Sequence, residues 1–245
     1  MSIRTRVGLI VPATNSTAEP DFAMVAPKNV SIHSQRMWNV NELTVEVMEE
    51  MNSDVERAAR YLAEAKMDFI VYACTTGSFF KGPGYDEELV KGIEKIAGVP
   101  AVATASSAVE ALRFFGAKRI SVASPYTQWQ NDKLRAYYEA LGFEVLNVEG
   151  DPHGAVAGGQ GHCDLSPESV LEFASGVCRP EADVLFCSCT AWRSMEVAAE
   201  LEQRTGKPVV SANQATVWAA FTRLGITGLQ PGFGSLLDRL TRVTV

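Results

Sequence analysis

The sequence predicts an α/β protein made of two pseudosymmetric, doubly wound lobes, each with a parallel β-sheet flanked by helices. The first observation is that short apolar, β-branched runs alternate along the 245 residues with longer amphipathic segments, as in βαβ units. The second is an internal repeat, in which a half-chain unit occurs twice. The landmarks of the first copy are Pro12, Cys74 and Pro100, and those of the second are Pro125, Cys189 and Pro208.

The first copy divides into strands and helices at glycine, proline and clusters of small polar residues. Apolar residues at helical spacing follow Glu42, and Gly116 has the position of a helix C-cap. In chain order we predict a strand over 6–11, a polar loop over 12–21, a strand over 30–37, a helix over 42–66 kinked near 52–53, a buried strand before Cys74, a glycine-rich loop over 77–84, a helix over 86–97, a strand over 99–104 and a helix over 106–115.

The second copy repeats this order with small insertions and deletions. Ser166 followed by Pro167 has the pattern of a helix N-terminus. We predict a strand over 118–123, a loop over 125–128, a helix ending at 141, a strand over 143–148, an irregular stretch over 150–164, a helix from 167, a buried strand from 183, a helix over 194–205, a strand at 209, a helix ending at 224 and a tail with a short helix after 235.

The stretch 150–164 contains five glycines and two of the three histidines. It lacks the strand-then-helix context that a phosphate-binding glycine loop requires, which argues against a nucleotide site. We therefore predict a mobile flap.

Composition and charge exclude several classes of function. Hydrophobic residues make up 47% and charged residues 21% of the chain, as in soluble globular proteins, and the net charge of −7 argues against nucleic-acid binding. There is no apolar run long enough for a membrane helix and no signal-peptide pattern, so we expect a cytoplasmic protein that does not bind membranes. An odd number of cysteines, five, fits reduced thiols.

Cys74 and Cys189 are the candidate catalytic residues. Each follows a predicted buried strand and precedes a threonine, so each falls at the carboxyl edge of a sheet, where open α/β folds bind ligands. Free cysteines often only pack in the core, and we assign that role to Cys163, Cys178 and Cys187. Two thiols at equivalent points of a repeat favour chemistry instead, either as opposed acid and base or as a nucleophile that adds to a double bond.

Hydroxyl and amide groups near these cysteines predict a site for a small carboxylate. Candidate donors are Asn15, Thr75, Thr76, Tyr126 and Thr190, and each of them has the alternative role of capping a helix or a turn. The cysteine and histidine spacings do not match a zinc site, so we predict no metal.

Several segments resemble the aspartate/glutamate racemase superfamily, and most closely its branch of maleate cis-trans isomerases and arylmalonate decarboxylases. They are the two Cys-Thr strands, the opening Gly-Leu-Ile-Val-Pro-Ala-Thr-Asn, and Val-Val-Ser-Ala-Asn-Gln-Ala-Thr at 209–216. The resemblance covers nearly the whole chain. It implies two pseudosymmetric α/β lobes with the active site in the cleft between them, a small carboxylic acid as substrate and no cofactor.

The resemblance also implies roles for individual residues. In the family's isomerases the first cysteine attacks the double bond and the second handles a proton, and Cys74 and Cys189 fall on these motifs. Asn15 matches the loop asparagine and Tyr126 the carboxylate-binding tyrosine, while Thr75 and Thr76 match a carboxylate pocket of the decarboxylases. The flap lacks the asparagine expected to hold a second carboxylate, and His162 is the candidate to replace it.

These expectations favour a two-cysteine isomerase, most like one that converts maleate to fumarate. The alternatives are a racemase of an amino or related acid, an arylmalonate-type decarboxylase that uses Cys189 alone, and a carboxylate-binding module without turnover. The decarboxylases have glycine at the first cysteine position, so Cys74 argues against that reaction. We further predict a homo-oligomer, with one lobe made of residues 1–108 plus 213–245 and the other of residues 109–212.

Overall fold

The computed structural model describes residues 4–40 and 44–241, in which eight strands form two four-stranded parallel sheets. The order is β2-β1-β3-β4 in the first sheet and β6-β5-β7-β8 in the second, so both sheets have the same winding. The predicted two-sheet α/β fold is confirmed. The strands are β1 (Thr5–Pro12), β2 (Val30–Met37), β3 (Phe69–Tyr72), β4 (Ala101–Ala103), β5 (Arg119–Ser124), β6 (Glu144–Gly150), β7 (Val184–Cys187) and β8 (Val209–Ser211).

Twelve helices lie among the described residues and cover these sheets. They are α1 (Ala18–Val25), α2 (Val45–Ser53), α3 (Val55–Glu64), α4 (Thr75–Phe79), α5 (Tyr85–Ala97), α6 (Thr104–Phe114), α7 (Gln128–Ala140), α8 (Pro152–Asp164), α9 (Pro167–Val177), α10 (Ala198–Thr205), α11 (Ala212–Arg223) and α12 (Ser235–Asp238).

The helix that follows the fourth strand of each half packs against the sheet of the other half. Leu112 of α6 shares a core with Ile120 and Phe186 of the second sheet. Phe221 of α11 shares a core with Leu9 of the first sheet, and its ring meets that of Phe22 edge-on. This exchange joins the two halves and brings the carboxyl edges of their sheets towards each other.

Four local predictions need correction. The loop over 12–21 ends early, because α1 begins at Ala18, where backbone N–H groups of Thr17 and Ala18 donate to Asn15 Oδ1. The glycine-rich loop after Cys74 starts as the short helix α4, and the helix predicted from Ser194 begins at Ala198 after a series of turns. The kink predicted near residues 52–53 is confirmed as a break at Asp54, between α2 and α3. Residues 42 and 43, where we predicted the start of that helix, lie outside the described residues.

The fourth correction concerns the stretch 150–164, which is the helix α8 and not an irregular flap. Asp151 caps it by accepting from the N–H of His153 at 2.9 Å, and Pro152 occupies its first turn. Gly154 permits close packing, since a Cβ there would lie 2.5 Å from the Cβ of Pro125. Gly158, with φ of 71° and ψ of −169°, interrupts the helical backbone.

Candidate active site

The carboxyl edges of both sheets border one cavity. The segments that follow β1, β3, β5 and β7 line it, together with the second half of α8. All eight residues predicted from the sequence are among its lining residues: Asn15, Cys74, Thr75, Thr76, Tyr126, His162, Cys189 and Thr190.

Cys74 is the N-cap residue of α4, and its sulfur accepts from the backbone N–H of Gly77 at 3.4 Å. Burial raises the pKa of the Cys74 thiol to about 11, while the Gly77 N–H and the Tyr72 hydroxyl act in the opposite direction. Glycine is required at position 77, because a Cβ there would lie 2.1 Å from the Tyr72 hydroxyl and 3.0 Å from the Cys74 sulfur.

A partly buried polar network lies behind Cys74, and no sequence signal pointed to it. The Tyr72 hydroxyl donates to Asn52 Oδ1, and Asn52 Nδ2 donates to the Gly77 carbonyl and to the Tyr85 hydroxyl, each at 3.0 Å. This network ties the break between α2 and α3 to the turn that carries the thiol.

Cys189 follows β7 with a φ of 153°, in a region that residues with a side chain rarely adopt. Its sulfur accepts from the backbone N–H of Ala191 at 3.4 Å and lies 3.9 Å from His162 Nδ1. Burial raises the pKa of the Cys189 thiol to about 12, although the Ala191 N–H and the Tyr126 hydroxyl lower it. A charge on Cys74 would raise it further, so the two sulfurs are close enough to interact electrostatically.

Asn15 and Thr190 connect the two halves of the site. Asn15 Nδ2 donates to Thr190 Oγ1 at 3.1 Å, and that hydroxyl donates to the Ala73 carbonyl at 3.2 Å. The side-chain oxygen of Asn15 caps α1, which is the alternative role that the sequence allowed for this residue. In this arrangement both side chains already have protein partners, and Asn15 has one N–H hydrogen left for a ligand.

Tyr126, Thr75 and Thr76 form a group of hydroxyls on one wall. Thr76 Oγ1 accepts from Gln130 Nε2 at 3.3 Å, whereas Thr75 Oγ1 is buried and has no hydrogen-bond partner within the described chain. Burial raises the pKa of Tyr126 well above its ordinary value, so its hydroxyl remains a neutral donor. An unpaired buried hydroxyl beside a second donor is suited to bind a carboxylate.

α8 places His162 in the cavity, next to Cys189. Burial lowers the pKa of His162 to about 4, despite the opposing effects of the Gly154 and Pro125 backbone and of Asp151. At neutral pH the imidazole is therefore uncharged and offers one N–H donor and one acceptor.

Sequence reasoning missed several lining residues. Gln130 belongs to a Thr127–Gln130 capping box, a signal that marked a helix start and not a site. Asn39 follows the carboxyl end of β2, so the strand-edge rule applied to that strand would have found it. Gln128 lies three residues after Pro125, as Asn15 lies three residues after Pro12 in the first copy of the repeat, but it is exposed and donates to Asp132 at 2.7 Å, outside the cavity.

Residues 4–40 and 44–241 contain no group of three or more His, Cys, Asp or Glu side chains arranged to hold a metal ion. Within the same residues, every helix is too short or too polar to cross a membrane.

Comparisons with known proteins agree with this geometry. The family model for arylmalonate decarboxylase matches residues 7–237. A maleate isomerase from Pseudomonas putida is 31% identical over 95% of this chain and 97% of its own.

Solved structures give the same result. A maleate isomerase variant from Pseudomonas putida S16 in complex with maleate has a TM-score of 0.88 at 27% identity, covering 96% of this chain and 97% of its own. A maleate cis-trans isomerase mutant from Nocardia farcinica, with a covalently bound succinylcysteine intermediate, has a TM-score of 0.88 at 26% identity, covering 96% and 98%. The chain is similar to maleate isomerases over nearly their full length. The predicted resemblance is confirmed, and the chain belongs to the arylmalonate decarboxylase family.

Proposed function

We propose that this protein is a cofactor-independent cis-trans isomerase that converts maleate to fumarate, with Cys74 as nucleophile and Cys189 as the proton-handling thiol. The observation that carries the proposal is that two thiols from equivalent strand ends line a single cavity, each accepting a backbone N–H at 3.4 Å. The similarity to enzymes named as maleate isomerases supports the same reaction.

The reaction begins from the Cys74 thiolate, a minor species at neutral pH because burial raises the pKa of this thiol. The thiolate forms a carbon–sulfur bond to one alkene carbon, and the π electrons move to the other carbon and its carboxylate. Cys189 gives its proton to that second carbon, leaving a single bond between the two carbons.

Rotation about this bond then exchanges the cis for the trans arrangement. Cys189 takes the proton back, the carbon–sulfur bond breaks, and its electron pair returns to Cys74. Each bond made in the first half is broken in the second, so the cycle needs no oxidant, metal or cofactor. The covalent succinylcysteine in the Nocardia farcinica enzyme is the kind of adduct that this scheme produces.

Neutral donors are assigned to the carboxylates. Thr75 Oγ1, which has no partner among the described residues, and the Tyr126 hydroxyl bind the first carboxylate. The N–H groups of His162 and Asn15 bind the second. Because the described residues that line the cavity include no lysine or arginine, hydrogen bonds to these donors offset the charge of the dianion.

A decarboxylase that uses Cys189 alone is the second candidate. Met48, Met51 and Pro12 give the cavity an apolar wall, which suits the carbon substituent of a substituted malonate. In this alternative Cys189 protonates the enediolate left by carbon dioxide release, and Cys74→Gly keeps that activity.

The two-lobe division at 1–108 plus 213–245 and 109–212 is part of the proposal, supported by the packing of α11 against the first sheet. We also propose that the protein is cytoplasmic and forms homo-oligomers.

Proton NMR of the purified protein with maleate in deuterated buffer tests the reaction. We expect the fumarate signal to grow while the maleate signal decays, and Cys178→Ser, a half-buried thiol outside the cavity, to behave as the wild type. Phenylmalonate in parallel reports decarboxylation. Release of carbon dioxide without fumarate formation would overturn the isomerase in favour of the decarboxylase, and inertness towards both substrates would overturn both.

A further inference from the structure

Asp21 and Asn213 form a buried pair directly behind the Cys189 turn. Asp21 lies on α1 and Asn213 in the first turn of α11, and each side chain is 1% exposed. Asn213 Nδ2 donates to Asp21 Oδ2 at 2.6 Å. The pair therefore joins two helices that are 192 positions apart in the chain, at a point where water has no direct access.

The orientation of the Asn213 amide is fixed by a second contact. Its Nδ2 also donates to the backbone carbonyl of Thr190 at 3.0 Å, and a carbonyl can only accept. Both N–H groups of the amide are thus used. What remains is Oδ1 of Asn213 and Oδ1 of Asp21, both buried and both without a hydrogen-bond partner in the described structure.

The two unpaired acceptors belong to side chains that are already hydrogen-bonded to each other, and a proton on one of them would satisfy both. A protonated Asp21 Oδ1 donates to Asn213 Oδ1, while Oδ2 continues to accept from Nδ2. This closes the ring of two hydrogen bonds that a carboxylic acid forms with an amide, and it satisfies both orphan atoms at once.

The charged surroundings of Asp21 do not favour an ionised carboxylate. Glu196 and Arg193, on the segment between β7 and α10, are the charged groups that act on it. They form a two-point ion pair with each other, at 2.7 and 3.0 Å, so Arg193 is committed elsewhere. Burial is the largest influence and raises the pKa of Asp21 to about 8, in spite of the hydrogen bond from Asn213.

We propose that Asp21 is a neutral carboxylic acid that forms a two-hydrogen-bond ring with Asn213, and that this ring positions the Cys189 thiol. The ring fixes the Asn213 amide, and the amide donates to the backbone carbonyl of Thr190. Thr190 is the neighbour of Cys189, whose φ is 153°. A rarely populated backbone persists only where its surroundings hold it. Asp21 is a positioning residue and does not contact the substrate cavity.

The neutral state has a signature in stability that is independent of any reaction. An unfolded Asp loses its proton near pH 3.9, whereas folded Asp21 keeps it to about pH 8. Ionisation therefore favours the unfolded chain progressively between about pH 4 and pH 8. Asp21→Asn keeps the ring, since one amide N–H replaces the acid O–H, and removes this penalty.

The first experiment compares thermal unfolding of wild type and Asp21→Asn at pH 5 and pH 8. We expect the variant to unfold at a higher temperature than wild type, with a larger difference at pH 8. Infrared spectroscopy near pH 6.5 should show the carbonyl band of a protonated carboxylic acid that disappears in Asp21→Asn. A variant that is less stable than wild type at pH 8, or the absence of that band, would overturn the neutral acid.

The second experiment tests positioning, and this part depends on the proposed isomerase. Asp21→Asn should retain kcat within about threefold of wild type, whereas Asp21→Ala should lose roughly tenfold to a hundredfold in kcat with KM little changed. Alkylation of Cys74 by N-ethylmaleimide, followed by peptide mass spectrometry, should proceed at the wild-type rate in both variants.

If Asp21→Ala retains full kcat, the pair does not position Cys189. Should Asp21→Ala fail to fold, the comparison of Asp21→Asn with wild type still decides, since a loss of kcat as large as tenfold in that isosteric variant contradicts the proposal. Failure of the proposed reaction would appear as inactive wild-type protein, and it would leave the stability and infrared results unaffected.

Discussion

The two cysteine turns occupy equivalent positions in the repeat but differ in backbone and neighbours. Cys74 has an ordinary extended backbone, with φ of −145°, and the chain continues directly into α4. Cys189 has φ of 153°, and turns separate it from α10. What the copies keep is the local contact, an N–H on each sulfur at 3.4 Å. The repeat thus keeps the thiols, while their backbones and neighbours differ, which fits the separate roles proposed for them.

The neighbours of each thiol fit this division. Cys74 is held by the Tyr72 and Asn52 network, which fixes the sulfur from behind and suits a nucleophile. Cys189 lies beside His162 and Tyr126, whose polar groups also line the cavity and suit proton transfer to a bound ligand.

Replacing each cysteine separately tests this division most strongly. Cys74→Ser and Cys189→Ser should each lower fumarate formation by roughly a thousandfold or more, because a serine hydroxyl is both a poorer nucleophile and a weaker acid than a thiol. The two should differ in adduct formation: incubation with maleate followed by mass spectrometry should give a succinyl adduct on Cys74 in Cys189→Ser and none in Cys74→Ser. An adduct on Cys189 would reverse the assigned roles.

The pH dependence of the reaction tests the role of Cys74 as the nucleophile. Burial raises the pKa of Cys74 to about 11. At pH values below 11, the thiolate fraction therefore rises about tenfold with each unit increase in pH. We expect kcat/KM for maleate to rise between pH 7 and pH 9 without a plateau. Unfolding temperatures measured across the same range separate this effect from loss of folded protein. A plateau below pH 8 would mean that the thiolate forms much more readily than burial allows.

The hydroxyl wall can be tested with a pair of tyrosines. Tyr126→Phe should raise KM by roughly tenfold, because a neutral donor to a carboxylate is lost. Tyr138→Phe is the matched control: Tyr138 is buried in the same half, but its hydroxyl has no partner among the described residues and does not line the cavity. Activity should be unchanged in that variant. Equal effects in both would indicate a packing role for Tyr126.

The difference between the turns also shows what a sequence reveals. Cys74 and Cys189 were predictable because they occur at equivalent points of a repeat and each follows a strand, at the carboxyl edge of its own sheet. The ring of Asp21 and Asn213 was not, since it depends on the packing of α1 against α11 across 192 positions. The network of Tyr72 and Asn52 depends in the same way on tertiary contacts between distant segments.

α8 was missed for a different reason. Its glycine content argued for a loop, because glycine weakens a helix through backbone entropy. In the structure Gly154 allows the helix to pack closely on the Pro125 turn. Low propensity was outweighed by tertiary packing and by the Asp151 cap.

Glycine substitutions give the smallest expected effect and test this account of α8. At Gly154 a Cβ would lie 2.8 Å from the Pro125 Cα and 3.0 Å from its carbonyl oxygen, both backbone atoms. Gly154→Ala should therefore lower the free energy of unfolding by about 1–3 kcal/mol, the usual cost of overpacking, and lower kcat/KM by displacing Tyr126 and His162.

In α9, a Cβ added at Gly176 would meet no atom within 4 Å, so Gly176→Ala should stabilise by up to about 1 kcal/mol without affecting activity. Urea unfolding measures the stability of the two variants, and maleate kinetics measure their activity. A Gly154→Ala protein as stable as Gly176→Ala would mean that the glycines of α8 serve flexibility, as the sequence first suggested, and not close packing.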